Sequence, residues 1–323
     1  MSFSEAIGTF LFSIFRLSTP IIYAALAACI TKQTGLLNMA IEGIMLTAAL
    51  SSVVFSALTQ SVVLGVLFGM LAGSLIGGII SYANLIGKTE LYLTCIAINL
   101  IATGGTTFAL YMITGTKGTT FSALPSLEVP NIDIPFIKDI PILGTMLSGH
   151  SILTYFAFIC AFLVWLLIYK TRLGLRMRCV GENPNAALSV GISVTRIKTV
   201  AYLISGAVGG LGGAFMSMSY VTWFSRDMLA GRGFIGLSAN NITAGSPVGA
   251  TLFSMLFGIA DASANVLQIT AAGLSYFVKM IPYIITILGM VIMEAIRIRK
   301  GLKFKDQVVR KAIAGTANEK DLT

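Results

Sequence analysis

Long apolar segments dominate this sequence and leave one class of fold open to it. A helix needs about 20 mostly apolar residues to cross the ~30 Å hydrocarbon core of a bilayer. Segments of about that length follow one another at 6–30, 39–58, 61–86, 90–114, 151–169, 199–222, 248–268 and 274–297. Backbone groups in lipid must be hydrogen-bonded within the protein, so such segments form helices. We therefore expect an all-α polytopic membrane protein, a bundle of 8–10 transmembrane helices.

The charge distribution orients these segments. Only 11% of the 323 residues are charged, whereas a soluble domain carries roughly 25%. The formal net charge is +9, and the cations concentrate in a loop at 170–198 and near the C-terminal end. Lys and Arg mark cytoplasmic loops, so we expect both regions inside and the loop 115–150, one segment away, outside. The sequence predicts one transmembrane domain over 1–300, a cytoplasmic polar tail at 301–323, and no nucleic-acid partner.

The number of crossings after the basic loop is constrained by parity. If the loop 170–198 and the tail are both inside, an even number of crossings joins them. Only three long segments are visible there, so a further crossing must lie between Trp223 and Pro247. Within it, the stretch 234–245 is short for a full span, which predicts at least one short or broken helix. Irregular backbone at membrane depth is tolerated only inside protein or beside water, so this stretch points to a transport pathway.

The basic loop 170–198 contains the signals of a short helix. Asn183 can cap a helix, and Pro184 suits its first position. Gly191 is suited to end the helix. The sequence therefore predicts a small helix with Ala186 and Ala187 on the cytoplasmic surface, available to a partner.

Polar residues within the apolar segments are candidates for a solute pathway, because they are costly there. Structural alternatives stand beside them: the helix dipole favours an acid such as Glu42 in a first turn, and amides such as Asn99 often join helices. Trp223, with Tyr220 and Phe224, fits either an interfacial aromatic belt or a platform for a ring-shaped solute. The pathway candidates are Asn38, Glu42, Asn99, Trp223, Asn240 and Asn241.

Two further patterns predict contacts between segments. Glycines at 65, 69, 73 and 77 share one helix face and permit close helix packing. Asp261 and Lys279 lie on neighbouring segments, and we interpret them as a structural ion pair rather than a proton relay.

The sequence predicts no catalytic residue, no metal site and no nucleotide site. His150 is the sole histidine, so neither a histidine pair for zinc nor a histidine-containing triad is available. Gly87-Lys88-Thr89 is similar to the end of a phosphate-binding loop, but Tyr82 stands where the upstream glycine is required.

Six stretches carry a resemblance to a known family. The sequence resembles the permease subunits of bacterial ATP-binding-cassette (ABC) importers, in the family of ribose, simple-sugar and branched-chain amino acid permeases. Residues 181–184 (Gly-Glu-Asn-Pro) and 231–235 (Gly-Arg-Gly-Phe-Ile) are most similar to its nucleoside-uptake branch. The amide-containing stretch 238–247 departs from the family pattern, which leaves the identity of the solute open. The matching stretches are 19–26, 35–45, 171–176, 180–192, 205–214 and 230–235.

The resemblance implies an assembly in the bacterial cytoplasmic membrane. It comprises two permease subunits, two cytoplasmic ATPase subunits and an extracellular substrate-binding lipoprotein, surrounded by membrane lipid. We expect the second permease to be a different chain, with a homodimer as the alternative. ATP and Mg²⁺ would be bound by the partner chains, and this chain would need no cofactor of its own. The residues implied to couple to the ATPase are Gly181, Glu182, Asn183, Pro184, Ala186, Ala187 and Gly191.

Two other functions compete with the importer. An ion-coupled secondary transporter of a small polar solute would need midplane charges and often inverted repeats. The sequence offers only Asp261 and Lys279 as such charges, and no clear repeat. An intramembrane enzyme would need paired acids or histidines within the segments, which the sequence lacks.

Overall fold

A computed structural model describes residues 3–121, 123–124, 126–133, 144, 146, 148–270, 284, 287–289, 291–292 and 295. The predicted segment 274–297, Lys279 and the tail 301–323 lie largely or wholly outside these residues.

Ten α-helices and one short antiparallel strand pair make up the described fold. Two helices continue into π-helical turns, α3 at Tyr82–Ile86 and α8 at Met216–Tyr220. Strands β1 (Asn131–Ile132) and β2 (His150–Ser151) pair in the loop between α4 and α5. The helices are α1 Phe3–Lys32, α2 Ile41–Thr59, α3 Val62–Ser81, α4 Leu91–Thr114, α5 Ile152–Lys170, α6 Arg172–Glu182, α7 Pro184–Ser189, α8 Val194–Phe215, α9 Arg232–Ile242 and α10 Pro247–Thr270.

Seven of the described helices are long and apolar enough to cross a membrane. They coincide with the first seven predicted segments, which confirms the all-α polytopic fold. Helix α1 and helix α8 form the centre of the bundle, where Tyr23, Tyr202 and Phe215 are fully buried. The outer faces of α3 and α4 are apolar and exposed, as expected of surfaces that meet lipid.

The glycine face of α3 packs directly on α8. A Cβ atom at Gly73 would collide with the carbonyl oxygen of Gly206 on α8. A Cβ atom at Gly69 would collide with Ser52 of α2. At Gly210, a Cβ atom would lie 2.6 Å from the Gly69 carbonyl oxygen. The two helix backbones are therefore in contact, which is the packing that the four-residue glycine spacing predicts.

The stretch between Trp223 and Pro247 contains the predicted short helix. Its first part is not helical and pairs with the loop after α4, since the Thr120 N–H donates to the Phe224 carbonyl over 2.9 Å. Helix α9 follows, and its 11 residues span only ~16 Å at ~1.5 Å per residue. A turn at 243–246 then leads to α10. The stretch thus has an irregular half and a helical half, and the prediction of a short or broken helix is confirmed.

Candidate functional site

The six-residue helix α7 has the predicted ends. The Asn183 Oδ1 atom accepts hydrogen bonds from the N–H groups of Asn185 and Ala186 at 3.0 and 3.1 Å. Pro184 occupies the first turn. Gly191 has a positive φ of 79°, and its N–H donates to the Leu188 carbonyl over 3.0 Å. A capping side chain, a proline start and a left-handed glycine thus define the helix.

The two alanines of α7 face opposite ways. Ala186 is exposed, together with Glu182, Asn183 and Pro184. Ala187 is only 3% exposed and packs in the same core cluster as helices α6 and α8. The sequence did not single out Leu188 and Val190, which are 57% and 73% exposed. Exposed apolar side chains that lie together can contact a partner protein.

Gly181 joins the coupling segment to the membrane domain. A Cβ atom at Gly181 would collide with the Gln33 carbonyl, so the end of α6 touches the turn after α1. The Gln33 Nε2 atom donates to the Gly245 carbonyl over 2.8 Å, beyond the end of α9. The Lys32 ammonium donates to the Asn241 Oδ1 atom over 3.0 Å. A continuous set of contacts therefore runs from the loop 170–198 through the end of α1 to the short helix.

Glu42 holds the other end of the short helix. Its Oε1 atom accepts from the Gly231 N–H at 2.9 Å, and its Oε2 atom accepts from the Gly233 N–H at 2.7 Å. The first N–H groups of a helix have no partner within the helix, and the helix dipole favours an anion there. Glu42 of α2 thus caps α9. The sequence indicated only an interaction with the dipole of α2 or a place in a solute pathway, so it did not predict this role.

The glycines around Arg232 make this cap possible. Gly231 has a φ of +82°, a conformation that glycine adopts without the cost paid by other residues. At Gly233, a Cβ atom would lie 2.5 Å from the Glu42 Oε2 atom, so any side chain would displace the carboxylate. One turn further, Gly236 lies against Ala24 and Ala25 of α1. Helix α9 is therefore held against both α1 and α2 by its glycine face.

Two predicted pathway amides organise the start of α2. Asn38 is fully buried; its Oδ1 atom accepts from the Ala40 N–H at 3.1 Å, and its Nδ2 atom donates to Ser205 over 3.4 Å. The Asn99 Oδ1 atom accepts from the Gly43 N–H at 2.9 Å, and its Nδ2 atom donates to the Met39 carbonyl over 3.0 Å. Asn38 thus joins the start of α2 to α8, and Asn99 joins α4 to the start of α2, as the structural alternative for Asn99 predicts.

The amides of α9 differ from each other. Asn241 is bonded to Lys32, as described above. Asn240 is fully buried, and neither its Oδ1 nor its Nδ2 atom has a hydrogen-bond partner within the described part of the chain. A buried amide without partners is costly, so such a position is commonly functional or hydrated.

The aromatic residues after α8 do not form one interfacial belt. Phe224 is fully buried, whereas Trp223 is half-buried and meets Phe121 edge to face, with 5.1 Å between ring centroids. The Tyr220 ring lies under two guanidinium groups, those of Arg16 at 4.9 Å and Arg232 at 5.3 Å. The sequence reasoning missed these two arginines, although Arg232 lies between the two glycines of a recognised motif.

Arg232 interacts electrostatically with two acidic side chains. Its guanidinium lies within electrostatic reach of Glu42 and of Asp261 on α10. The predicted partner of Asp261 was Lys279, which falls outside the described residues. Arg232 is thus a second cation available to Asp261.

A polar cavity of about 160 Å³ lies beside α1, and Arg16, Glu128 and His150 are among its lining residues. The His150 ring stacks on Phe12 with 4.0 Å between centroids. Burial lowers the pKa of His150; a hydrogen bond to the Met146 carbonyl opposes this, and the charge of Arg16 lowers the pKa further. The ring is therefore neutral near pH 7.

Comparisons with known proteins identify the family of the chain. The chain matches the family described as "Branched-chain amino acid transport system / permease component" over residues 10–292. It is 32% identical to the nucleoside ABC transporter permease protein NupC of Lactococcus lactis subsp. cremoris, with 84% of this chain and 87% of the relative covered. It is 31% identical to the guanosine ABC transporter permease protein NupQ of Bacillus subtilis, with 84% and 88% covered.

A more distant relative comes from the same Lactococcus strain. The nucleoside ABC transporter permease protein NupB is 24% identical, with 76% of this chain and 69% of the relative covered. No solved structure shows significant similarity to the chain. The family match and the apolar helices together show a multi-pass protein of the cell membrane and a transport subunit rather than an enzyme. The chain belongs to the branched-chain amino acid transport system permease family and is the permease subunit of an ABC importer, a system that works with ATPase subunits and a substrate-binding protein.

Proposed function

We propose that this permease carries nucleosides into the cell. The observation that supports this most directly is the similarity, above 30% over 84% of the chain, to two permeases named for nucleosides and guanosine. The alternative cargo is a simple sugar, which the resemblance of the sequence to the sugar permeases leaves open.

Uptake of labelled guanosine tests the cargo. The importer, reconstituted with its ATPases and binding protein, should accumulate guanosine only when ATP is supplied. Unlabelled nucleosides should compete for uptake, whereas ribose or glucose should not. Accumulation of a sugar without any nucleoside uptake would refute this proposal.

We also propose that α7 is the part of the chain that fits a groove on the ATPase. It is a rigidly capped helix, and its exposed residues include Ala186, Leu188 and Val190. ATP and Mg²⁺ bind the partner subunits in this scheme, and movement of α7 reaches the membrane domain through Gly181 and the end of α1. Helix α9 is held to that end by Lys32 and Gln33, so a push on α7 tilts the short helix.

Two adjacent positions test the docking of α7. Ala186→Cys and Ala187→Cys, each in a Cys179→Ser background that removes the exposed native thiol, place one thiol outward or inward. A short thiol-to-amine cross-linker should join Ala186→Cys, but not Ala187→Cys, to the ATPase. Equal cross-linking of both, or of neither, would contradict this orientation.

We place the solute route beside the irregular crossing at 223–247. Asn240 supports this, because its buried amide lacks partners in the described part of the chain. Trp223 marks the external entrance, where an aromatic ring can stack on a base. Glu42, Asn38, Asn99 and Asn241 border the route by positioning its helices.

We further propose that the second permease is a different chain. The Lactococcus strain has two differently named nucleoside permeases, NupC and NupB, and this chain is similar to both. Two differently tagged copies of this chain, expressed together with the other components, should not purify in one complex. Recovery of both tags from one complex would show a homodimer instead.

A further inference from the structure

An apolar groove of about 430 Å³ lies between α5 and α10. Three of the residues that line this groove have largely exposed side chains: Phe162, Val248 and Leu252 are 59%, 53% and 59% exposed. Its lining residues include Phe158, Phe162 and Trp165 on α5 and Val248, Thr251 and Leu252 on α10.

The groove lies in the cytoplasmic half of the membrane. Trp165 precedes Lys170, the last residue of α5, by five positions, or ~7.5 Å along the helix. Val248 is the second residue of α10, which starts at the cytoplasmic turn held by Gln33. The apolar groove therefore ends at the depth where phospholipid headgroups lie.

Cations stand at this cytoplasmic end. The Lys170 ammonium lies 6.0 Å from the centroid of the Trp165 ring. The Arg178 guanidinium lies 5.3 Å from the Tyr169 ring, and the Tyr169 and Trp165 centroids are 6.2 Å apart. The Arg178 Nε atom is buried without a hydrogen-bond partner within the described residues. Two cationic side chains thus lie next to Trp165, at one end of the groove.

The surrounding segment is strongly cationic. Lys170, Arg172, Arg176 and Arg178 precede a single carboxylate, that of Glu182. Basic clusters at the cytoplasmic end of a transmembrane helix attract anionic lipids. A protein neighbour on the same surface would have to supply several acids to match these cations.

We propose that the groove and its cationic end bind one anionic phospholipid. An acyl chain lies between α5 and α10, and the phosphate group contacts Lys170 and Arg178. Because Arg178 belongs to α6, the helix that leads to α7, the bound lipid fixes the base of the coupling segment. This inference does not depend on which solute is transported.

Fluorescence of Trp165 offers a direct test. The chain has two tryptophans, so Trp223→Phe leaves Trp165 as the single reporter. The full chain is placed in phosphatidylcholine nanodiscs that contain a small fraction of lipid brominated in its acyl chains. We expect half-maximal quenching at a severalfold lower mole fraction of brominated phosphatidylglycerol than of brominated phosphatidylcholine.

Two variants and a control define the site. The double variant Lys170→Gln, Arg178→Gln should abolish the preference for phosphatidylglycerol and keep the weak quenching by phosphatidylcholine. Ala161→Phe narrows the groove and should reduce quenching by both lipids. Lys88→Gln removes one exposed cation from another cytoplasmic turn and should leave the preference unchanged. Equal quenching by the two lipids in the parent protein would show ordinary surrounding lipid and overturn the proposal. Absence of quenching by both would show that protein covers the groove, and would overturn it as well.

Discussion

Replacing Glu42 with glutamine removes the cap that fixes α9 to α2. The carboxylate accepts two hydrogen bonds, from the N–H groups of Gly231 and Gly233 at 2.9 and 2.7 Å. In Glu42→Gln, the carbonyl oxygen accepts one of them, and the amide NH₂ group faces the other N–H donor. Hydrogen bonds to a charged group contribute about 1.5–3 kcal/mol each, so the loss of one lowers the stability of the docked α9 by about that amount.

Hydrogen exchange of the α9 amides measures this loss. A change of 1.5–3 kcal/mol corresponds to roughly 10- to 100-fold faster opening at 1.4 kcal/mol per factor of ten. We expect the amides of 233–242 to exchange faster by about that factor in Glu42→Gln. Amides of α4 should be unaffected.

Glu90→Gln is the matched control. Glu90 is an exposed carboxylate at the N-cap of α4, and its side chain makes no capping hydrogen bond. The same chemical change there should alter stability by less than ~0.5 kcal/mol. If α9 exchanged at the same rate in both variants, the assignment of Glu42 as its cap would be refuted.

Three further predictions concern packing, buried polar contacts and pH. Gly73→Ala places a methyl group against the backbone of α8 and should destabilise the protein by ~1–3 kcal/mol in thermal unfolding. Gly104→Ala should not, because a Cβ atom there would have nothing within 4 Å. Equal melting temperatures of the two variants would contradict the close packing. Ser205→Ala leaves both the Nδ2 atom of Asn38 and the Ala27 carbonyl without their partner and should cost ~1–3 kcal/mol, and a melting temperature at the parent value would show that these two contacts add no stability. The pKa of His150 is lowered in the folded chain, so the unfolded chain binds the proton more readily and stability falls as the pH drops below ~6.5. His150→Phe should therefore reduce the loss of melting temperature between about pH 7.5 and 5.5. An unchanged loss would count against the buried neutral ring.

Features set by neighbouring residues were predictable from the sequence. The lengths of the apolar segments predict the seven long helices, and Asn183, Pro184 and Gly191 predict both ends of α7. Parity of charged loops predicts the short crossing that contains α9. The helices depend on the spacing of residues along the chain. The short crossing depends on the number of membrane crossings between two charged regions.

Contacts between distant residues were not predictable in the same way. Glu42 and Gly231 are 189 positions apart, and nothing in either local sequence names the other. The inward orientation of Ala187 was missed because a six-residue helix is too short for a hydrophobic pattern to define its buried face. The contact between Gly181 and Gln33 is a close approach of two backbones. The only sign of it in the sequence is the glycine.

Coupling through α7 is the central claim, and one paired measurement tests it most directly. In the reconstituted importer, Ala186→Glu places a charge on the exposed face of α7, and Thr89→Glu places the same charge on the exposed turn between α3 and α4. ATP hydrolysis and nucleoside uptake are measured together for both variants. We predict that Ala186→Glu loses uptake while its ATPases still hydrolyse ATP, and that Thr89→Glu keeps both activities. Uptake at the parent rate in Ala186→Glu would contradict the account.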